Sequence, residues 1–160
     1  MDAWDNANFE GRKYHRMIVA SELVAAMRNR IGAKFVIDAR SDNETDCAGV
    51  IVQAAAECGC KLVDMPPEET AKARTHSSLT IQWAKTWGKQ RQRGSKPQDG
   101  DLLLIWLVRP NAPCHVAIYA AKTNTIIHAR PRKGVTETPY VGMWDLRTSH
   151  VFRLHDVKPH

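Results

Sequence analysis

Three side chains in this sequence are of types that can together perform acyl transfer: Cys47, His115 and His128. A cysteine becomes a nucleophile when its thiolate is stabilised by the partial positive charge at a helix N-terminus and by a nearby imidazolium. Cys47 stands directly before an apolar helical run, so it meets the first condition by position. His115 lies in Cys114-His115-Val116-Ala117-Ile118-Tyr119, which reads as a strand. From there it can take the thiol proton and return it to a leaving amine. His128, on the next strand, would accept the other ring N–H and fix the tautomer. A buried cysteine at a helix start and strand histidines bonded to backbone carbonyls produce the same pattern, so spacing alone leaves both readings open. A zinc set of Cys58, Cys60 and Cys114 with a histidine is the rival chemistry. These cysteines lie in apolar runs with no C-x-x-C pair, and they read as reduced core residues. No metal and no cofactor are expected.

The elements that must position these groups follow from apolar periodicity. Met17, Ala20, Val24, Met27 and Ile31 step by three and four, which predicts a helix from about Tyr14 to Ile31 stopped by Gly32. Residues 33–37 read as a short extended segment, and Arg40 to Thr45 as a polar loop leading into Asp46-Cys47-Ala48-Gly49. Val50, Ile51, Ala54, Ala55 and Cys58 form the stripe of a nearly uncharged, and therefore central, helix that Gly59 ends. Lys61 to Thr75 reads as a loop or short turn, and Leu79, Trp83 and Trp87 as a helix before Gly88. Beyond Gly100 the texture becomes strand-like at Leu102–Val108, Val116–Ala120, Thr125–Ile127 and Val151–Leu154. A hairpin around Lys122, Thr123 and Asn124 would place His115 and His128 on one face, opposite or diagonal. Helices first and strands second predict an α+β fold, with N-terminal helices packed on a mostly antiparallel sheet. The organisation expected is an N-terminal arm over 1–14, one domain over 15–155 and a tail over 156–160.

At 160 residues, 43% hydrophobic and 25% charged, the chain has the make-up of one folded domain and excludes a disordered or fibrous one. Its net charge of +6 favours anionic partners without choosing among them. Lys89, Arg91, Arg93 and Lys96 beside Trp83 and Trp87 read as a solvated loop, and no nucleic-acid motif accompanies them. No apolar stretch reaches the roughly 20 residues of a membrane span, and Asp2 and Asp5 stand where a signal peptide carries basic residues. His15, His76, His150, His155 and His160 read as structural or exposed, and Tyr119 as core. Trp106 and Trp144 are the tryptophans expected near a substrate groove.

Taken in order, Asp46-Cys47-Ala48-Gly49, Gly100-Asp101-Leu102-Leu103, His115-Val116-Ala117-Ile118-Tyr119 and Ile127-His128-Ala129 resemble the signature blocks of the NlpC-type cell-wall cysteine peptidases, a papain-like family. The resemblance covers about residues 16 to 130. It implies a fold in which a cysteine-bearing helix packs against an antiparallel sheet bearing both histidines. It also implies Cys47 as nucleophile, His115 as base, His128 as the third polar residue and Asp46 as a brace. The activity implied is hydrolysis of peptides in bacterial peptidoglycan, commonly between D-glutamate and a diamino acid. Three departures stand out. Ala48 replaces the serine usual after the cysteine, a pattern resembling phage tail versions, as does Gly134-Val135-Thr136-Glu137. Phe35 occupies the place of a tyrosine that can assist the oxyanion, which leaves the Cys47 backbone N–H as the evident donor. The step from His115 to His128 is slightly longer than the usual hairpin. The expectation is a phage tail-associated peptidoglycan hydrolase, carried in the virion, acting at the host cell wall or periplasm and docked on tail tip or baseplate proteins. Phe35, Asp46 and Trp106 would support substrate or motif. The alternative is a structural tail-tip or hub protein with this fold and little turnover.

Overall fold

The computed structural model describes residues 17–159, so the expected arm at 1–14 lies outside the described residues. The centre is a six-stranded antiparallel sheet in the order β4-β9-β5-β6-β7-β8. Its strands are β4 (Gly88–Gln90), β5 (Leu102–Ile105), β6 (His115–Ala120), β7 (Thr125–Arg130), β8 (Gly134–Pro139) and β9 (Thr148–Leu154). β5 reads Leu-Leu-Leu-Ile with every residue buried, as a strand covered on both faces must. Alternation along β6 sends Val116, Ile118 and Ala120 into a large core shared with the helices. Ala117 and Tyr119 face a smaller core closed by Tyr140 and Trp144.

The helices are α1 (Ala20–Arg28), α2 (Cys47–Glu57), α3 (Pro67–Ala73), α4 (Ser77–Trp87) and a short α5 (Met143–Leu146). α2 is the helix the sequence describes: Asp46 caps its start, and Gly59, at φ 83°, ends it. There the Cys60 N–H bonds to Ala55 O at 2.9 Å and the Gly59 N–H to Ala56 O at 3.0 Å, the Schellman arrangement.

Four expectations need correction. Among the described residues, the helix predicted over 14–31 is Ala20–Arg28, and the Met17 and Ile31 side chains of the expected stripe are exposed. Its first turn is displaced because β1 (Ile18–Val19) pairs in parallel with β10 (Val157–Lys158). Within the expected tail over 156–160, Val157–Lys158 is strand, and Val157 is buried in the main core. On α4 the buried positions are Thr80, Ala84 and Trp87, while Leu79 and Trp83 are half-buried. The strand expected over Leu102–Val108 stops at Ile105, leaving Val108 exposed. Residues 33–45 form a two-stranded parallel pair, β2 (Lys34–Phe35) with β3 (Glu44–Thr45), whose end delivers the chain to α2.

Candidate active site

Cys47 is the first residue of α2, where the backbone amides of the opening turn have no helical acceptors and the helix dipole is positive. Asp46 holds this turn in place and is itself 2% exposed. Its carboxylate accepts from the Gly49 N–H at 2.7 Å and the Asp38 N–H at 2.7 Å, and it pairs with the Arg40 guanidinium at 2.9 Å. Arg40 in turn grips Asp64 through Nε at 2.8 Å and a second nitrogen at 3.0 Å. Burial works against the Arg40 charge, but Asp64 and Asp46 outweigh it and hold its pKa above the ordinary value. Gly49 lies under this cluster; an added Cβ would come within 2.6 Å of Arg40. Asp46 thus braces the loop.

His115 and His128 are both buried, and the register of β6 with β7 makes them diagonal neighbours on the face that carries Trp144. His115 Nε2 lies 2.7 Å from His128 Nδ1, and His128 Nε2 lies 3.0 Å from Thr138 Oγ1. The Trp144 ring meets His128 edge to face at 4.8 Å between centroids, and the Arg130 guanidinium carbon lies over the Trp144 ring at 5.1 Å from its centroid. Burial, aided by the charges of Arg130 and Arg74, lowers the His115 pKa to about 4. Burial and the neighbouring His115 drive His128 lower still. Both rings are therefore neutral at neutral pH.

Cys47 and His115 line one cavity of about 160 Å³ at the end of the sheet where β6 begins. Phe35, Arg74 and Cys114 line it too. Cys47 retains partial exposure, yet its enclosed setting and then the Asp46 charge push the thiol up to about 12. The N–H groups of Val116 and Ala48 and the Arg74 charge pull the other way. The resting pair is thus thiol and imidazole, not an ion pair. With His115 Nε2 held by His128, its Nδ1 is the nitrogen left for a thiol proton.

Trp106 is not brought to this cavity: its indole lies against the Arg147 guanidinium at 4.6 Å. Phe35 is there, its ring covered by Arg74 at 5.5 Å from guanidinium carbon to ring centroid. Cys58 and Cys60 lie elsewhere, in or against the main core, and among the described residues no group of three His, Cys, Asp or Glu side chains could hold a metal ion. Arg40, Arg74 and Thr138 were not singled out by the sequence. Asp64 and Arg74 fall in a stretch with no period, and Thr138 is found only through strand pairing.

The fold and the site can be set beside known proteins. No curated protein is similar enough in sequence to be matched. Among solved structures, the NlpC/p60 domain of the peptidoglycan hydrolase SagA is similar over 84% of this chain and 98% of that one, at 21% identity and a TM-score of 0.57. An NlpC/P60 family protein from Bacillus cereus ATCC 10987 gives 18% identity and a TM-score of 0.62. NlpC1 from Trichomonas vaginalis gives 14% and 0.60. The chain spans 40% and 44% of those two longer proteins. These likenesses establish the expected fold. The NlpC/P60 family model matches residues 32–153, a stretch that runs from β2 to β9 and contains Cys47, His115 and His128, and by that match this chain belongs to the NlpC/P60 family.

Proposed function

We propose that this protein is a cysteine endopeptidase that cleaves peptide stems of bacterial peptidoglycan, with Cys47 as nucleophile, His115 as base and His128 as the group that orients it. One observation carries the reading: Cys47 at the start of α2 shares a cavity with His115, whose Nε2 is held 2.7 Å from His128. One tautomer set then fits the two observed bonds. His115 Nε2–H donates to His128 Nδ1 and His128 Nε2–H donates to Thr138 Oγ1, which leaves His115 Nδ1 as the acceptor for the thiol proton during the reaction. On attack the sulfur bonds to the scissile carbonyl carbon while its proton passes to Nδ1. The oxyanion is met by the Cys47 backbone N–H. The imidazolium returns the proton to the leaving amine, and water, deprotonated by the same nitrogen, hydrolyses the thioester. Because the resting pair is neutral, proton transfer accompanies attack.

Ala48 and the segment Gly134–Glu137 support placement of this activity in a phage tail, carried in the virion to the host wall and docked on tail tip or baseplate proteins. Phe35, which has no hydroxyl to offer the oxyanion, favours a second reading: the same fold as a tail-tip component with little turnover. Incubation of the folded protein and Cys47→Ala with peptidoglycan under reducing conditions decides between them. Release of stem peptides by the first and not the second supports the enzyme. Absence of release from both leaves the structural component. Proteomics of purified particles tests the location, and particles that infect without this chain would remove it.

A further inference from the structure

From Thr70 to Gln98 the sequence carries seven Lys or Arg and no Asp or Glu, more positive charge than the +6 of the whole chain. Everything outside that stretch is therefore nearly neutral in sum. Two of the seven are engaged inside the molecule: Arg74 lies over Phe35, and Arg91 pairs with the buried Asp101. Lys85, Lys89, Arg93 and Lys96 are exposed and have no ion pair among the described residues, whereas Arg28, Arg40 and Arg153 each hold a carboxylate. Lys85 is in the last turn of α4, Lys89 is on β4 at the edge of the sheet, and Arg93 and Lys96 follow in the loop. Gln90, Arg93 and Lys96 line a cavity of about 250 Å³ together with Ser149 and His150 of β9. Burial, and then the charges of Lys85 and Arg93, lower the His150 pKa, so α4 and the loop direct their charge to one place. A lysine on an edge strand guards against unwanted strand pairing, which accounts for Lys89 but not for the three cations outside the strand.

We propose that this cationic strip along the β4 edge holds a polyol phosphate chain of the bacterial wall, an anionic polymer lying beside the peptides that the active-site cavity cuts. The choice of a wall polymer rests on the peptidase reading, and the choice of a flexible polyanion rests on the strip itself. Every exposed residue between Gln82 and Gln98 is polar or glycine, and the exposed apolar side chains lie elsewhere, Val108 and Leu146 foremost. A protein partner seats on an apolar or aromatic centre, which the strip lacks. Single-stranded nucleic acid stacks its bases on aromatic faces. Here Trp87 is buried, and Trp83 is half-buried with its indole N–H tied to Glu69 at 2.5 Å. What the strip offers is point charge and carboxamide: Lys85, Lys89, Arg93 and Lys96 for phosphates, and Gln82, Gln90 and Gln92 for hydroxyls. α4 also connects the strip to the active-site cavity, because Thr80, about 7 Å before Lys85 along the helix axis, lines that cavity. A polymer held on the strip thus raises the local concentration of wall peptide at Cys47.

The test measures binding of the whole chain, by fluorescence anisotropy, to a labelled poly(glycerol phosphate) and to a duplex DNA of equal phosphate number. The wild type should bind the polyol phosphate, with affinity falling at least about tenfold between about 50 and 500 mM salt. Lys85→Glu/Arg93→Glu/Lys96→Glu should weaken binding at least about tenfold. Lys34→Glu/Lys61→Glu/Lys122→Glu removes the same charge from exposed positions elsewhere and should change it less than about threefold. Should the first triple variant fail to fold, Lys85→Gln/Arg93→Gln/Lys96→Gln reads the same loss without adding negative charge. No binding by the wild type, equal losses in the two Glu variants, or tighter binding of the duplex overturns the strip as a wall-polymer site. None of these readouts involves Cys47, so their failure leaves the peptidase reading intact. A chain that binds the polymer through the strip but releases no stem peptide removes the peptidase reading and leaves the strip standing.

Discussion

At the level of single residues, enclosure sets the protonation states from which the chemistry must start. His115 is 3% exposed and its pKa is lowered to about 4, by burial first and then by Arg130 and Arg74. A base works only while it is unprotonated, so activity should persist as the medium is acidified and fall with a midpoint near 4. A kcat/KM profile whose acid limb lies at 6 or above contradicts the neutral resting ring. His128 acts through His115, so His128→Ala should reduce kcat by between about tenfold and 10⁴-fold with little change in KM. Steady-state kinetics read the split, and a loss confined to KM would place His128 in substrate binding. The cysteine and the two histidines were legible in the sequence because few residue types perform thiol chemistry, and because strand alternation places the histidines on one face. Arg40 and Arg74 were not, since arginine is common on surfaces. What distinguishes these two is a partner distant in the chain, Asp64 for one and Phe35 for the other.

At the level of elements, the start of α2 depends on one carboxylate. Asp46→Ala would remove the helix cap, leave the Asp38 N–H without its acceptor and take one of two anions from Arg40. The expected loss is about 2–4 kcal/mol, seen as a lower urea midpoint at unchanged slope. A loss under about 0.5 kcal/mol would show that Asp46 does not brace the turn. β8 depends on a glycine in the same way. Gly134 sits at φ 74°, and an added Cβ would lie 2.2 Å from Ala33 O. Gly134→Ala should therefore destabilise by more than about 1 kcal/mol, through both backbone strain and a forced parting of the strand from Ala33. α2 was legible because cap, stripe and terminal glycine all agree. α1 was overrun because Met17 and Ile31 satisfy its period, while the pairing of Ile18–Val19 with Val157–Lys158 joins residues nearly the whole chain apart. No local pattern reports such a pairing.

At the level of the whole molecule, the sheet separates two cores, and the histidine pair is packed against the smaller one with Trp144. A histidine buried in neutral form binds its proton less readily in the folded than in the unfolded chain. Stability is then fully present above the unfolded pKa near 6.5 and is lost as pH falls toward the folded value. For His115 alone the loss between about 6.5 and 4 is on the order of 3 kcal/mol, and His128 adds in the same direction. Chemical denaturation at pH 7 and at pH 5 measures it, and equal stabilities at the two values contradict the buried neutral pair. Replacing both histidines with glutamine should flatten the dependence. The two-core arrangement was implicit in strand alternation, but its lid was not, because α5 is four residues long and carries no period. That lid has an optical consequence. The Trp144 indole lies 4.8 Å from the His128 ring and 6.1 Å from that of His115, and a protonated imidazole is a far better quencher of indole emission than a neutral one. Fluorescence lost on acidification in the wild type but not in Trp144→Phe would therefore report the charge on the histidine pair directly, in solution and without any substrate.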